Sequence, residues 1–168
     1  MSPRPRVPPP PLDVEALLGA LDRHGVDYVL IGGLAARLHG SPLLTEDIDI
    51  TPAVDQENLT RLAAALRELE ARLRGAEDVE FPLDDRSLAS AETLTMTTRA
   101  GWLDVCSRPA GGQSYETLAP NAHTYELFGL HVRVASLDDV IRSKEAASRD
   151  KDLRSLATLR ELQERLRH

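Results

Sequence analysis

The sequence predicts an α/β protein of the α+β kind: a mixed β-sheet flanked by helices, with two further helices at the C-terminus. Three observations carry this. Apolar residues at helical spacing alternate with short runs rich in Val, Ile, Thr and Tyr. The middle of the chain holds two pairs of such runs, each pair joined by a tight turn containing glycine, which reads as antiparallel hairpins. After Ser136 only helix signals remain.

Residues 1–11 contain six prolines and predict an extended or disordered tail with nothing to pack against, so the folded domain is expected over 12–168. Asp13 can cap a helix whose apolar positions are Val14, Leu17, Leu18 and Leu21, with Gly25 ending it. Val26 to Ile31 reads as a buried strand. Gly32 and Gly33 break that strand, and Leu34 to His39 reads as a short helix, followed by a loop at Gly40-Ser41-Pro42. A second strand begins at about Asp47 and covers Ile48 to Thr51. Asp55 opens a long helix with Leu59, Leu62, Ala63, Leu66, Leu69 and Leu73 on one face. Thr93 to Thr98 and Trp102 to Cys106 form a hairpin across Arg99-Ala100-Gly101, and 109–121 reads as a loop. Tyr125 to Val134 reads as a second hairpin, turning at Gly129. Ser136-Leu137-Asp138-Asp139 is a helix start with an acid three residues after the serine; its helix runs through Ala147, and another covers about Asp152 to Leu166.

A chain of 168 residues suits one domain, which can bury enough surface to fold without disulfides or a structural metal. Its single cysteine, Cys106, excludes an intramolecular disulfide and a Cys-rich zinc site, and fits a reducing compartment. The longest apolar run, Tyr28 to Ala36, is too short to span a bilayer, and no apolar stretch follows Arg4 and Arg6. A cytoplasmic protein with no membrane partner is expected. The net charge of −7 argues against a protein that coats nucleic acid. The charge is uneven, however. Residues 142–168 hold eight Lys/Arg against five Asp/Glu, while 1–141 hold 12 against 22. Both lysines of the chain, Lys144 and Lys151, lie in that basic segment, which fits either a solvated helix pair or a wall that neutralises phosphates.

The most informative stretch is Thr45-Glu46-Asp47-Ile48-Asp49-Ile50. Side chains alternate along a strand, so Asp47 and Asp49 share one face while Ile48 and Ile50 can enter the core from the other. Two carboxylates held roughly 6–7 Å apart on one strand repel each other, and a divalent cation relieves that conflict. Mg²⁺ in particular prefers oxygen ligands and takes one or two carboxylates with phosphate oxygens. Asp104 is the one acid in the apolar run Trp102 to Cys106, where it costs stability unless compensated. Paired beside the first strand, it completes a three-carboxylate cluster able to hold two metals. On the residues alone, a solvated strand edge, with Asp104 bonded to a backbone amide, fits as well. Ile31-Gly32-Gly33-Leu34 lies between strand and helix, where glycine lets a phosphate approach the free amides of the helix N-terminus. It is neither a Walker A loop nor a dinucleotide fingerprint. The histidines His24, His39, His123 and His131 have no metal spacing.

Together, Ile31-Gly32-Gly33, then Asp47-Ile48-Asp49-Ile50, then Asp104 resemble the nucleotidyltransferase superfamily, whose fold is shared with polymerase beta. Leu38-His39-Gly40-Ser41, Thr45, and Val134 to Asp139 running into Lys144 and Lys151-Asp152 resemble the AbiEii and MenT type of bacterial nucleotidyltransferase toxins. The resemblance implies the nucleotidyltransferase fold and Mg²⁺ or Mn²⁺ as cofactor. It implies Gly32 and Gly33 at the triphosphate and Asp47 and Asp49 on the metals. Asp104 would bind metal or deprotonate the acceptor, Lys144 would contact phosphate, and Thr45, Lys151 and Asp152 would complete the nucleotide pocket. Where many relatives carry an arginine this chain has Leu43, and Arg37 is the expected substitute.

The implied reaction is attack of a hydroxyl on the α-phosphate of a nucleoside triphosphate. The first expectation for the acceptor is RNA, the 3′ end of a tRNA, for a toxin with a cognate antitoxin. A small molecule of the aminoglycoside kind is the alternative. A non-catalytic binding or regulatory relative is the third reading, and the intact carboxylates argue against it.

Overall fold

The computed structural model describes residues 8–109, 111–147 and 150–167, and of Lys151 the backbone alone. Residues 1–7 of the proline-rich tail lie outside the described residues. Seven strands form one mixed sheet in the order β3-β4-β5-β2-β1-β7-β6. The chain runs α1 (Val14–Arg23), β1 (Tyr28–Ile31), α2 (Gly32–Leu38), β2 (Asp47–Pro52), α3 (Gln56–Glu68), β3 (Arg72–Leu73) and α4 (Asp85–Ala89). It continues with β4 (Thr93–Thr98), β5 (Gly101–Cys106), α5 (Tyr115–Leu118), β6 (His123–Leu127), β7 (Leu130–Val134), α6 (Leu137–Ala147) and α7 (Asp150–Arg167). The mixed sheet with flanking and C-terminal helices is the architecture the sequence predicts.

Alternation on the central strands separates core from site. Ile48 and Ile50 on β2, with Leu103 and Val105 on β5, face the core beside Leu17, Leu18 and Leu21 of α1 and Leu59, Leu62 and Leu66 of α3. Each such side chain contributes about 1.5–3 kcal/mol by leaving water. The other faces of the same two strands carry Asp47 and Asp49, and Trp102, Asp104 and Cys106. Packing one face of the sheet thus fixes where the acids on the other must point.

Caps begin the helices where the sequence places them. Asp13 accepts from the Ala16 amide at 3.0 Å, Asp55 from Asn58 at 3.1 Å, and Ser136 from Asp139 at 3.1 Å. The fully buried Asn58 ties α3 to the β1–β2 pair. Its side-chain oxygen accepts from the Asp27 amide at 2.7 Å, and its side-chain nitrogen donates to the carbonyls of Asp27 at 2.9 Å and Ala53 at 2.7 Å.

Three local expectations change. The two glycines do not precede the helix after β1; they form its first turn. Leu73 does not extend α3: Glu70 adopts a left-handed φ of 54°, the helix stops, and Leu73 pairs with Met96 as the short edge strand β3. The expected loop 109–121 contains α5, because Ser114 and Thr117 cap each other reciprocally. Among the described residues no helix is long and apolar enough to cross a membrane.

Candidate active site

Strands β2 and β5 run parallel, with Asp49 opposite Asp104 and Asp47 opposite Trp102. This register places the three acids on one face, and one carboxylate oxygen of each lies within 4.8 Å of the others. Three half-buried carboxylates at that separation repel unless cations or protons intervene. Burial pushes Asp104 above the usual aspartate range, and the charge of Asp47 adds to this, although Arg74 and a hydrogen bond with Asp49 oppose it. An all-oxygen donor set of this size fits a hard divalent cation.

Arg74, just beyond β3, is the partner that sequence reading missed. It donates to Asp104 Oδ1 at 2.8 Å and to the Met96 carbonyl at 3.0 Å, and its guanidinium lies 4.1 Å from the centre of the Trp102 ring. Nothing in Arg72-Leu73-Arg74 marks it, because its place depends on a two-residue strand with no periodicity of its own.

The glycine turn is built against the acids. Gly32 has a φ of +71°, and a Cβ there would overlap the Asp49 carboxylate. A Cβ at Gly33 would lie 3.0 Å from Thr45 Oγ1, which itself donates to the Asp47 carbonyl at 2.7 Å. Close backbone approach therefore presses the start of α2 onto the carboxylate strand. At the other end of α2, His39 Nε2 donates to the Ala135 carbonyl at 2.7 Å. The Nδ1 atom of the same ring then accepts from the Tyr125 hydroxyl at 3.3 Å. These bonds moor the end of α2 to β6 and to the β7–α6 junction.

The acids and the glycine turn open onto one cleft of about 1010 Å³. Gly32, Gly33, Thr45, Asp47, Asp49 and Asp104 line it on the sheet side. Lys144 and Asp152 line the opposite wall, their Nζ and Oδ1 atoms 3.6 Å apart, with Asp152 only 2% exposed. Arg37 donates to the Leu43 carbonyl at 3.3 Å and bridges the α2–β2 loop. The side chain of Lys151 lies outside the described residues. Gly32, Gly33, Thr45, Asp47, Asp49, Asp104, Lys144 and Asp152 therefore meet in this cleft, whereas Arg37 is not among its lining residues. The cleft also contains Asp139 and Gln113, whose side chains the sequence pattern did not single out for chemistry.

No family model matches the sequence, and no curated protein matches it. Solved structures do. A Thermotoga maritima protein, TM1012, assigned to the nucleotidyltransferases by inference, superposes with a TM-score of 0.54 at 19% identity, over 86% of this chain and 88% of its own. ANT(2")-Ia in complex with adenylyl-2"-tobramycin gives 0.54 at 21% identity, over 87% and 84%. The same antibiotic-resistance factor in solution gives 0.51 at 18% identity, over 92% and 89%. The sheet that carries Asp47, Asp49 and Asp104 is thus the sheet of a nucleotidyltransferase fold.

Proposed function

We propose that the chain is a metal-dependent nucleotidyltransferase that moves a nucleoside monophosphate from a nucleoside triphosphate to an acceptor hydroxyl. The observation that carries this reading is the convergence of Asp47, Asp49 and Asp104 within 4.8 Å, with a glycine turn pressed against them. A bound Mg²⁺ or Mn²⁺ would supply charge neutralisation at the α-phosphate. Asp47 and Asp49 would hold it, with one oxygen of Asp104. The α2 amides and Lys144 would steady the triphosphate, Thr45 would brace the Asp47 strand, and Lys151 and Asp152 would complete the pocket. The acceptor oxygen bonds to the α-phosphorus as the bond to pyrophosphate breaks. The ionised Asp104 carboxylate, which burial makes more basic than a free aspartate's, takes the hydroxyl's proton.

For the acceptor we favour RNA, the 3′ end of a tRNA, with the protein acting in the cytoplasm as the toxin of a toxin–antitoxin pair. The proline-rich 1–11 then serves as a tail to a single domain over 12–168. The likeness to ANT(2")-Ia, captured with adenylylated tobramycin, favours a second reading with an aminoglycoside acceptor. The first rests on the aromatic and guanidinium groups of the lining, which as a whole holds six acids against four basic residues. Arg74 and Arg108 join Trp102 among the lining residues beside Asp104. Of the lining acids outside the triad, Glu46, Asp139 and Asp152, the last two are engaged by Arg142 and Lys144, while Arg74 and Arg108 are themselves paired with Asp104 and Glu92. A single-stranded RNA end can stack its bases on Trp102 and set its phosphates against such guanidinium groups.

The test offers each α-labelled triphosphate with Mg²⁺ or Mn²⁺ and either total RNA or aminoglycosides, beside an Asp47→Ala/Asp49→Ala control. Label on RNA that the control fails to transfer is the expected result. Transfer to the antibiotic alone would replace the first reading with the second. Triphosphate binding without transfer to either would favour a non-catalytic role.

A further inference from the structure

Helix α6 presents a stripe to the cleft: Asp139, Val140, Ser143, Lys144 and Ala147 all line it, at the spacing of one helical face. Within that stripe Asp139 is anomalous. It is 4% exposed, its Oδ1 accepts from Arg142 at 3.2 Å, and its Oδ2 has no hydrogen-bond partner among the described residues. Almost all buried polar atoms are satisfied in folded proteins, so an unmet carboxylate oxygen on a cleft wall needs a reason. Its amide is used by the Ser136 cap and its carbonyl by Gln113 Nε2 at 3.1 Å, so the helix start is complete without that oxygen. The residue sits about 7.5 Å along the axis from Lys144, five residues at 1.5 Å each. Without a cation between them a carboxylate does not face phosphate oxygens, since both only accept hydrogen bonds. What it can face is a donor.

We propose that Asp139 is a specificity-determining residue. Its free Oδ2 reads a hydrogen-bond donor on the nucleoside part of the bound triphosphate. This rests on the reading of the cleft as a nucleotide site. Two groups supply such a donor, an exocyclic amino group of the base and a ribose hydroxyl. A nucleotide lacking the donor leaves the buried oxygen unmet and binds more weakly by about tenfold or more. Asp139→Asn has a signed consequence. With Arg142 still holding the side-chain oxygen, the amide nitrogen stands where Oδ2 was, so the position now donates.

The experiment measures equilibrium binding of CTP, UTP, ATP, 2′-deoxy-ATP and 3′-deoxy-ATP with Mn²⁺, in the wild type, Asp139→Asn and Asp139→Glu, each checked for folding by circular dichroism. A base reader binds CTP more tightly than UTP by about tenfold, and Asp139→Asn erases or inverts that preference, because O4 of uracil accepts where N4 of cytosine donates. A ribose reader treats CTP and UTP alike but rejects one deoxy analogue, and the Asn variant loses that rejection. Equal wild-type binding of all five overturns the inference while leaving the nucleotide site standing. So does an equal loss for all five in a folded variant. Absence of any triphosphate binding by the wild type overturns the nucleotide site itself. The wild-type panel alone decides the matter should neither variant fold.

Discussion

A methyl group at Gly32 would overlap the Asp49 carboxylate, and the left-handed φ of +71° adds backbone strain for any residue with a Cβ. Gly32→Ala is therefore expected to cost about 1 kcal/mol or more in stability and to push Asp49 out of register. Label transfer should fall on the order of 100-fold, while circular dichroism stays native. Retained transfer would show that Asp49 need not sit where the glycine lets it. Asp104 makes a different, pH-dependent prediction. Its folded-state pKa lies above the ordinary 3.8, so in the metal-free protein the folded state binds more protons than the unfolded one across that window. The stability it contributes is fully present below 3.8 and is lost as pH rises through the raised value. Urea unfolding in EDTA should show wild-type stability declining relative to Asp104→Asn over that range. A difference that does not change with pH would refute the burial argument.

At the scale of elements, Asn58 holds α3 to the β1–β2 pair with three bonds from one buried side chain. Asn58→Ala strands an amide and two carbonyls, so unfolding free energy should drop by about 2–4 kcal/mol in urea titration. The triad stands on the far side of the strands from α3, so transfer by the folded protein in the cold should remain near wild type. The same scale explains what could be read in advance. Ile48 and Ile50 alternating with Asp47 and Asp49 is a local pattern, legible because a strand has a period of two and one face must be buried. Capped helices such as α1 and α6 are legible for the same local reason. Arg74 is not, because its partners Asp104 and Trp102 are thirty and twenty-eight residues away in sequence and meet it only through the β3–β4–β5 arrangement. Leu73 misleads because four residues after Leu69 it continues a helical stripe, whereas the helix is ended by the conformation of Glu70. The unmet oxygen of Asp139 likewise depends on what packs around it; the sequence marks only the helix start in which it lies.

For the whole molecule, the sheet concentrates negative charge at one place, and a cation there should link folding to metal. The three acids come from β2 and β5, which are adjacent and central, so separating them requires opening the core between α1, α3 and the sheet. Metal bound to the folded state alone stabilises it by RT ln(1 + [L]/Kd), about 2.7 kcal/mol at a hundred times Kd. For a chain of 168 residues this corresponds to a rise in Tm of roughly 5–10 °C. Mn²⁺ should therefore raise the wild-type Tm, and EDTA should return it to the starting value. The Asp47→Ala/Asp49→Ala protein should not respond, and its metal-free Tm should equal or exceed that of the wild type, because the mutual repulsion has gone. Arg74→Met separates two roles for that side chain. Loss of the Mn²⁺ shift would mean that the guanidinium orients Asp104 for metal, and a larger shift would mean that it competes with metal for the same carboxylate. An equal Mn²⁺ shift in wild type and double variant would place the cation elsewhere and remove the basis for a metal-centred reaction in this cleft.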